Sequence, residues 1–85
     1  MTEKTVVIKS NAGIHARPAM MLVKEAIKFS SEIYLIKDSI EANGKSIMSV
    51  LSLAITKGSK LIIRAVGEDE ADAVESIVKL IQNEF

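Results

Sequence analysis

The apolar residues of this chain change their period from segment to segment, and that change limits the available folds more than any other feature. Thr5-Val6-Val7-Ile8 is a β-branched run that predicts a strand, broken by turn residues at Ser10-Asn11-Ala12-Gly13. From Ala16 the spacing becomes helical. Ala19, Leu22, Val23, Ala26 and Ile27 recur at three and four residues and predict one buried face, closed by Ser30-Ser31. Glu32–Lys37, centred on Ile33-Tyr34-Leu35-Ile36, predicts a second strand. Asp38-Ser39 then suits a two-residue turn, with Ile40-Glu41-Ala42 returning as a short strand. After the Asn43-Gly44 break, Ser46 is placed to cap a short helix over Ile47–Leu53, ended by Lys57-Gly58. Lys60–Val66 predicts the fourth strand. Gly67-Glu68-Asp69 leads into a last helix with acids in its first turn. Its predicted buried stripe is Ala73, Ile77, Leu80 and Ile81, flanked by Val74 and Val78.

The order β-α-β-β-α-β-α, with a hairpin at its centre, predicts an α+β fold in which helices cover one face of a mostly antiparallel sheet. With 85 residues and neither linker nor repeat, one domain spanning 1–85 is expected. Leu61-Ile62-Ile63 is apolar on both sides of its strand, which an open outer face does not explain. Composition excludes several functions. Eleven basic and eleven acidic residues, interspersed and summing to zero, leave no electrostatic footprint for nucleic acid. One tyrosine, two phenylalanines and no tryptophan make no base-stacking platform. Lack of cysteine removes disulfide and thiolate chemistry and fits a reducing compartment. Met1-Thr2-Glu3-Lys4 lacks the apolar stretch of a secretion signal, and no apolar run approaches the ~20 residues of a membrane span. A cytoplasmic protein with no membrane contact is expected, and no residue set calls for a metal or cofactor.

Chemistry concentrates in Gly13-Ile14-His15-Ala16-Arg17-Pro18-Ala19, which places the only histidine at a helix start. The backbone N–H groups of Ala16 and Arg17 are unpaired there and suited to an anion. Arg17 brings the side chain best shaped for phosphate. Pro18, within the first turn, has no N–H to leave unpaired. A helix start also disfavours imidazolium and keeps the nucleophilic lone pair of the ring. A histidine that carries a phosphoryl group is one reading, and a simple helix cap is the other. Ser46 is a plain N-cap worth ~1 kcal/mol at minimum. Gly44-Lys45-Ser46 mimics the end of a P-loop, but Ser39 stands where its first glycine is needed. Met20 and Met21 lie off the buried helix face. Together with Ile47, Met48 and Leu51 they suit an adaptable docking surface, which Lys24 and Lys28 would extend toward acidic partners.

The Gly13–Ala19 block, Asn43-Gly44-Lys45-Ser46-Ile47-Met48, the Lys57-Gly58 turn and Gly67-Glu68-Asp69-Glu70 carry a resemblance that spans essentially the whole chain. It resembles the histidine-containing phosphocarrier (HPr) family of the bacterial phosphoenolpyruvate-dependent sugar phosphotransferase system, in its low-GC Gram-positive type. The resemblance implies an open-faced β-sandwich of four antiparallel strands and three helices. It implies that His15 accepts phosphate from phosphorylated enzyme I and passes it to the IIA units of sugar permeases, with Arg17 balancing charge. Such a protein is a monomeric carrier with a phosphohistidine intermediate, no cofactor and no turnover of its own. The resemblance also implies that Ser46 is phosphorylated by a serine kinase/phosphorylase and acts in carbon catabolite control through a transcription regulator. One departure stands out: Ala12 occupies a position where many members carry serine or asparagine. The rival readings are a regulatory relative working through serine alone, a carrier for a nitrogen-related branch or a dihydroxyacetone kinase, and a binding domain without covalent chemistry.

Overall fold

Leu61, Ile63 and Ala65 are wholly buried because their strand has a partner on either side and a layer of helices above it. The structure, a computed structural model, describes residues 1–85. Its elements are β1 (Thr2–Val7), α1 (Ala16–Ile27), β2 (Glu32–Lys37), β3 (Ile40–Asn43), α2 (Ile47–Leu51), β4 (Lys60–Val66) and α3 (Glu70–Glu84). The strands form one antiparallel sheet in the order β1-β4-β2-β3, with Val6 opposite Leu61 and Leu35 opposite both Ile63 and Ala42. Alternation sends Val6, Ile33, Leu35, Leu61 and Ile63 to one face. There they meet Leu22 and Val23 of α1, Val50 of α2, and Val74, Ile77 and Ile81 of α3 in a single apolar core. This is the α+β fold with helices on one sheet face that the segment order predicts, and the open-faced sandwich that the resemblance implies.

The outer face explains the two-sided apolarity of β4. Ile62 lies directly opposite Ile36, and Ile36 is only 6% exposed although it lies outside the main core. Arg64 donates to Glu3 on β1 at 2.5 Å and to Glu41 on β3 at 3.2 Å. Glu3 sits across from Arg64 itself, whereas Glu41 sits across from Ile36. The second bond therefore crosses β2 diagonally beside the isoleucine pair. Exposed ion pairs contribute only ~0–1 kcal/mol each, so the main effect is apolar cover from the arginine stem.

Several boundaries differ from the sequence pattern. β1 is Thr2–Val7 rather than Thr5–Ile8. Ile8 leaves the ladder, yet its N–H donates to Ser59 O at 3.0 Å and its carbonyl accepts from Gly58 N–H at 2.8 Å. Ile27 is 60% exposed, not buried. It lies roughly 110° round the helix from the centre of the buried stripe, at about 100° per residue, on the last residue of α1. Leu80 is only half-buried at the rim of α3. α2 stops at Leu51, two residues short, because Ala54 adopts the left-handed conformation at φ 49°. Gly58, at φ 86°, belongs to the separate turn from Thr56 to Ser59 and does not cap the helix. The hairpin agrees with expectation: Asp38 and Ser39 have φ 50° and 68°, the left-handed pair that a two-residue connection requires.

Candidate functional site

His15 is the N-cap of α1, with extended backbone (φ −113°, ψ −161°), and its ring makes no capping bond. Its carbonyl accepts the Ala19 N–H at 2.9 Å. The Ala16 and Arg17 amides donate to nothing, and Pro18 has none to donate, so two open N–H groups adjoin an exposed imidazole. Arg17 is exposed and takes part in no ion pair. His15 and Arg17 line one shallow cleft of about 400 Å³ together with Ser10, Ala12, Met21 and Glu84. A helix start with free amides, a guanidinium and a nucleophilic ring is an arrangement for holding an anion at a covalent acceptor.

The loop before the histidine is held from below. Gly13 has φ +65°, and a Cβ there would stand 2.4 Å from Ile55 O and 2.9 Å from Thr56 Cα. Ile14 N–H donates to the same Ile55 carbonyl at 3.0 Å, and its side chain is buried. Glycine in the motif is visible in sequence, but the Ile55–Thr56 backbone that requires it is not. Ala12 donates its N–H to Ser10 Oγ at 3.3 Å, so the hydroxyl of this loop comes from Ser10 rather than from position 12.

Ser46 is the N-cap of α2, and its Oγ accepts from Ser49 N–H at 3.3 Å. Ser49 Oγ in turn accepts from Asn43 N–H at 2.8 Å, and Asn43 Oδ1 accepts from Lys45 N–H at 2.9 Å. Lys45 Nζ reaches the Phe29 carbonyl beyond the end of α1 at 2.6 Å, tying the two helices together. α1 and α2 pack side by side. They leave Met20, Ile47 and Met48 exposed, with Met21 and Leu51 half-buried and Lys24 in solvent. Ile27 shares the outer stripe of α1 with Met20, and the core periodicity hid it from this surface. Lys28 is drawn instead to Glu25 at 3.0 Å.

Two carboxylates that the sequence marks only as the acidic entry to α3 have distant partners that local spacing does not reveal. Asp69 is the N-cap of α3 but does not cap it. Its carboxylate accepts the Ser31 hydroxyl and the Ser30 and Ser31 N–H groups, each N–H at 2.9 Å. Those bonds, the Ser31 hydroxyl foremost, hold its pKa down to about 2. Glu70 accepts from the Met1 ammonium at 2.8 Å, Thr2 Oγ1 at 2.6 Å and Gly67 N–H at 3.2 Å, and it too is lowered to about 2. Neither lines the histidine cleft. No helix is long and apolar enough to cross a membrane.

Fold and site together define a small α+β domain with an exposed histidine at a helix start whose first amides are open. The family model described as "PTS HPr component phosphorylation site" matches residues 2–83, and the chain belongs to that family, the HPr phosphocarriers of the phosphotransferase system. It is similar to the phosphocarrier protein HPr of Treponema pallidum (strain Nichols), with 45% identity over 85 residues, 100% of this chain and 97% of that protein. The HPr-like protein Crh of Halalkalibacterium halodurans is 44% identical over 84 residues, 99% of this chain and 100% of that one. Among solved structures, HPr of Thermoanaerobacter tengcongensis superposes with a TM-score of 0.95 at 44% identity, covering 100% of this chain and 96% of the other.

Proposed function

We propose that His15 takes a phosphoryl group from phosphorylated enzyme I and delivers it to the IIA units of sugar permeases, with Arg17 balancing the added charge. The observation that carries this reading is the unengaged state of the site: the exposed ring of His15 and Arg17, whose guanidinium has no partner, border one cleft, and the Ala16 and Arg17 amides beside them are open. The lone pair of the ring bonds phosphorus, and the phosphoryl oxygens then find the open N–H groups and the positive end of α1. Partner proteins supply and remove the group, so the chain is a carrier without turnover of its own, acting as a cytoplasmic monomer. Ser46 is the regulatory site, modified by a serine kinase/phosphorylase and read by a catabolite-control transcription regulator. Its support is its place at the start of α2, next to exposed Ile47 and Met48, where nearly two added charges would alter docking.

Incubation with phosphoenolpyruvate and enzyme I, followed by intact mass, tests the carrier role. The expected result is one acid-labile phosphate on the chain and none on His15→Ala. An unchanged mass for the unmodified sequence would rule the role out. The second reading is a purely regulatory protein using Ser46 alone, motivated by the 44% identity to a Crh. The open histidine site favours the carrier.

A further inference from the structure

We infer that Glu84 raises the phosphoryl-transfer potential of His15 by facing the accepted group with an unpaired negative charge, an inference that rests on the carrier reading above. The cleft lies between two helix ends of opposite polarity. On one side is the start of α1 with Arg17, and on the other the end of α3 with Glu84. The backbone fixes that opposition, since Lys9 and Ser10 donate their N–H groups to Phe85 O at 2.8 and 2.6 Å, holding the end of α3 against the loop that leads to the histidine.

Glu84 breaks a local rule at this one place. A carboxylate in the last turn of a helix opposes the macrodipole, and the last turn of α3 has no basic residue to offset it. Of the other acids of α3, Asp72 lies in the first turn, where the macrodipole favours it, and two have partners: Glu70 holds Thr2 and Met1, and Glu75 pairs with Lys79 at 3.4 Å. Glu84 has none, and Arg17, in the same cleft, is not bonded to it. A local conflict confined to the border of a site points to function there.

The charge acts on only one state of the carrier. In the transfer, the ring nitrogen of His15 uses its lone pair to bond phosphorus while the bond from phosphorus to the donor breaks. The donor keeps that bonding pair and receives the ring N–H proton through solvent. The phosphohistidine then carries close to two negative charges where the empty ring has none. Arg17 and the Ala16 and Arg17 amides attract those charges, and Glu84 repels them. The repulsion destabilises phosphohistidine without affecting the empty carrier, which makes the group easier to pass on. For solvated charges across such a cleft the effect is about three- to tenfold in the equilibrium constant.

The test is the equilibrium with phosphoenolpyruvate and excess pyruvate at catalytic enzyme I, read as the phosphorylated fraction by intact mass. Because enzyme I cancels from this constant, a change in docking alone cannot move it. Glu84→Gln should raise the phosphorylated-to-free ratio by about three- to tenfold, and Glu84→Lys further. In about 1 M salt, where the screening length is about 3 Å, most of the difference should vanish. A ratio unchanged from the parent sequence, or a change that persists undiminished in salt, would overturn the inference. A parent chain that acquires no phosphate at all would overturn the carrier reading and this inference with it, a result distinct from equal ratios.

Discussion

α1 and α2 both begin on a polar residue with extended backbone, and they use that position in opposite ways. Ser46 folds its hydroxyl back onto the Ser49 amide, so the start of α2 satisfies itself. His15 turns its ring away and leaves the start of α1 open. Packing is the reason the second arrangement is stable. α1 is twelve residues long and buries Pro18, Ala19, Leu22, Val23 and Ala26. α2 is five residues long and buries only Val50, too short to hold without its cap. A helix anchored by its apolar face can leave donors unpaired, and those donors are what a phosphoryl group needs.

On that contrast, His15→Ala removes phosphorylation altogether while urea unfolding shows a stability change of no more than ~1 kcal/mol, because no capping bond is lost. A folded variant that still accepts phosphate from enzyme I would break the comparison at its first term. Arg17→Ala should slow transfer by about 10- to 100-fold with stability unchanged, and Arg17→Lys should recover only part of the rate for want of the planar fork. Stopped-flow rates on the three proteins decide this, and equal rates would remove Arg17 from the site.

At α2 the expected effects are smaller and fall on binding. Ser46→Asp keeps the cap and adds a charge, so the apparent KM for the carrier with enzyme I should rise about tenfold with kcat little changed. A fall in kcat at constant KM would show that the position acts on chemistry instead. Ser46→Ala should cost ~1 kcal/mol of stability and leave transfer intact, the reverse of His15→Ala.

The start of α3 offers a third case, in which the capping residue serves another segment. Asp69 has a folded pKa of about 2, held there first by the Ser31 hydroxyl and then by the Ser30 amide. The depressed value means its contribution is present above the ordinary aspartate range near 3.9 and is lost as pH falls toward 2. Asp69→Asn should therefore lower stability at neutral pH and flatten its decline between about pH 4 and 2. Parallel acid-melting curves for the two proteins would exclude this role.

How far the sequence disclosed this depends on distance along the chain. The block around His15, the Asp38-Ser39 turn and the Ser46 cap are local, and local spacing disclosed them. Ile27 and the end of α2 were misplaced because periodicity alone does not say where a neighbouring element stops covering a face. The Gly13–Ile55 approach, the Asp69–Ser31 tie and the Arg64 bridge over Ile36 join residues far apart in sequence. No periodicity reports those.

The pairing of β1 with β4 sets the order of events when the chain is made. Thr2 faces Ala65 and Val7 faces Lys60, so β1 waits for a strand made more than fifty residues later. Closing so long a loop adds little to the thermodynamic cost but slows the search, since entropy must be lost before distant contacts return it. The loop bearing His15 waits as well, because its support is Ile55 and its far anchor is Phe85. A nascent chain halted before residue 55 would contain the whole Gly13–Ala19 block without the backbone that holds it in place. The loop bearing His15 therefore takes its final shape only after β4 and the end of α3 have been made.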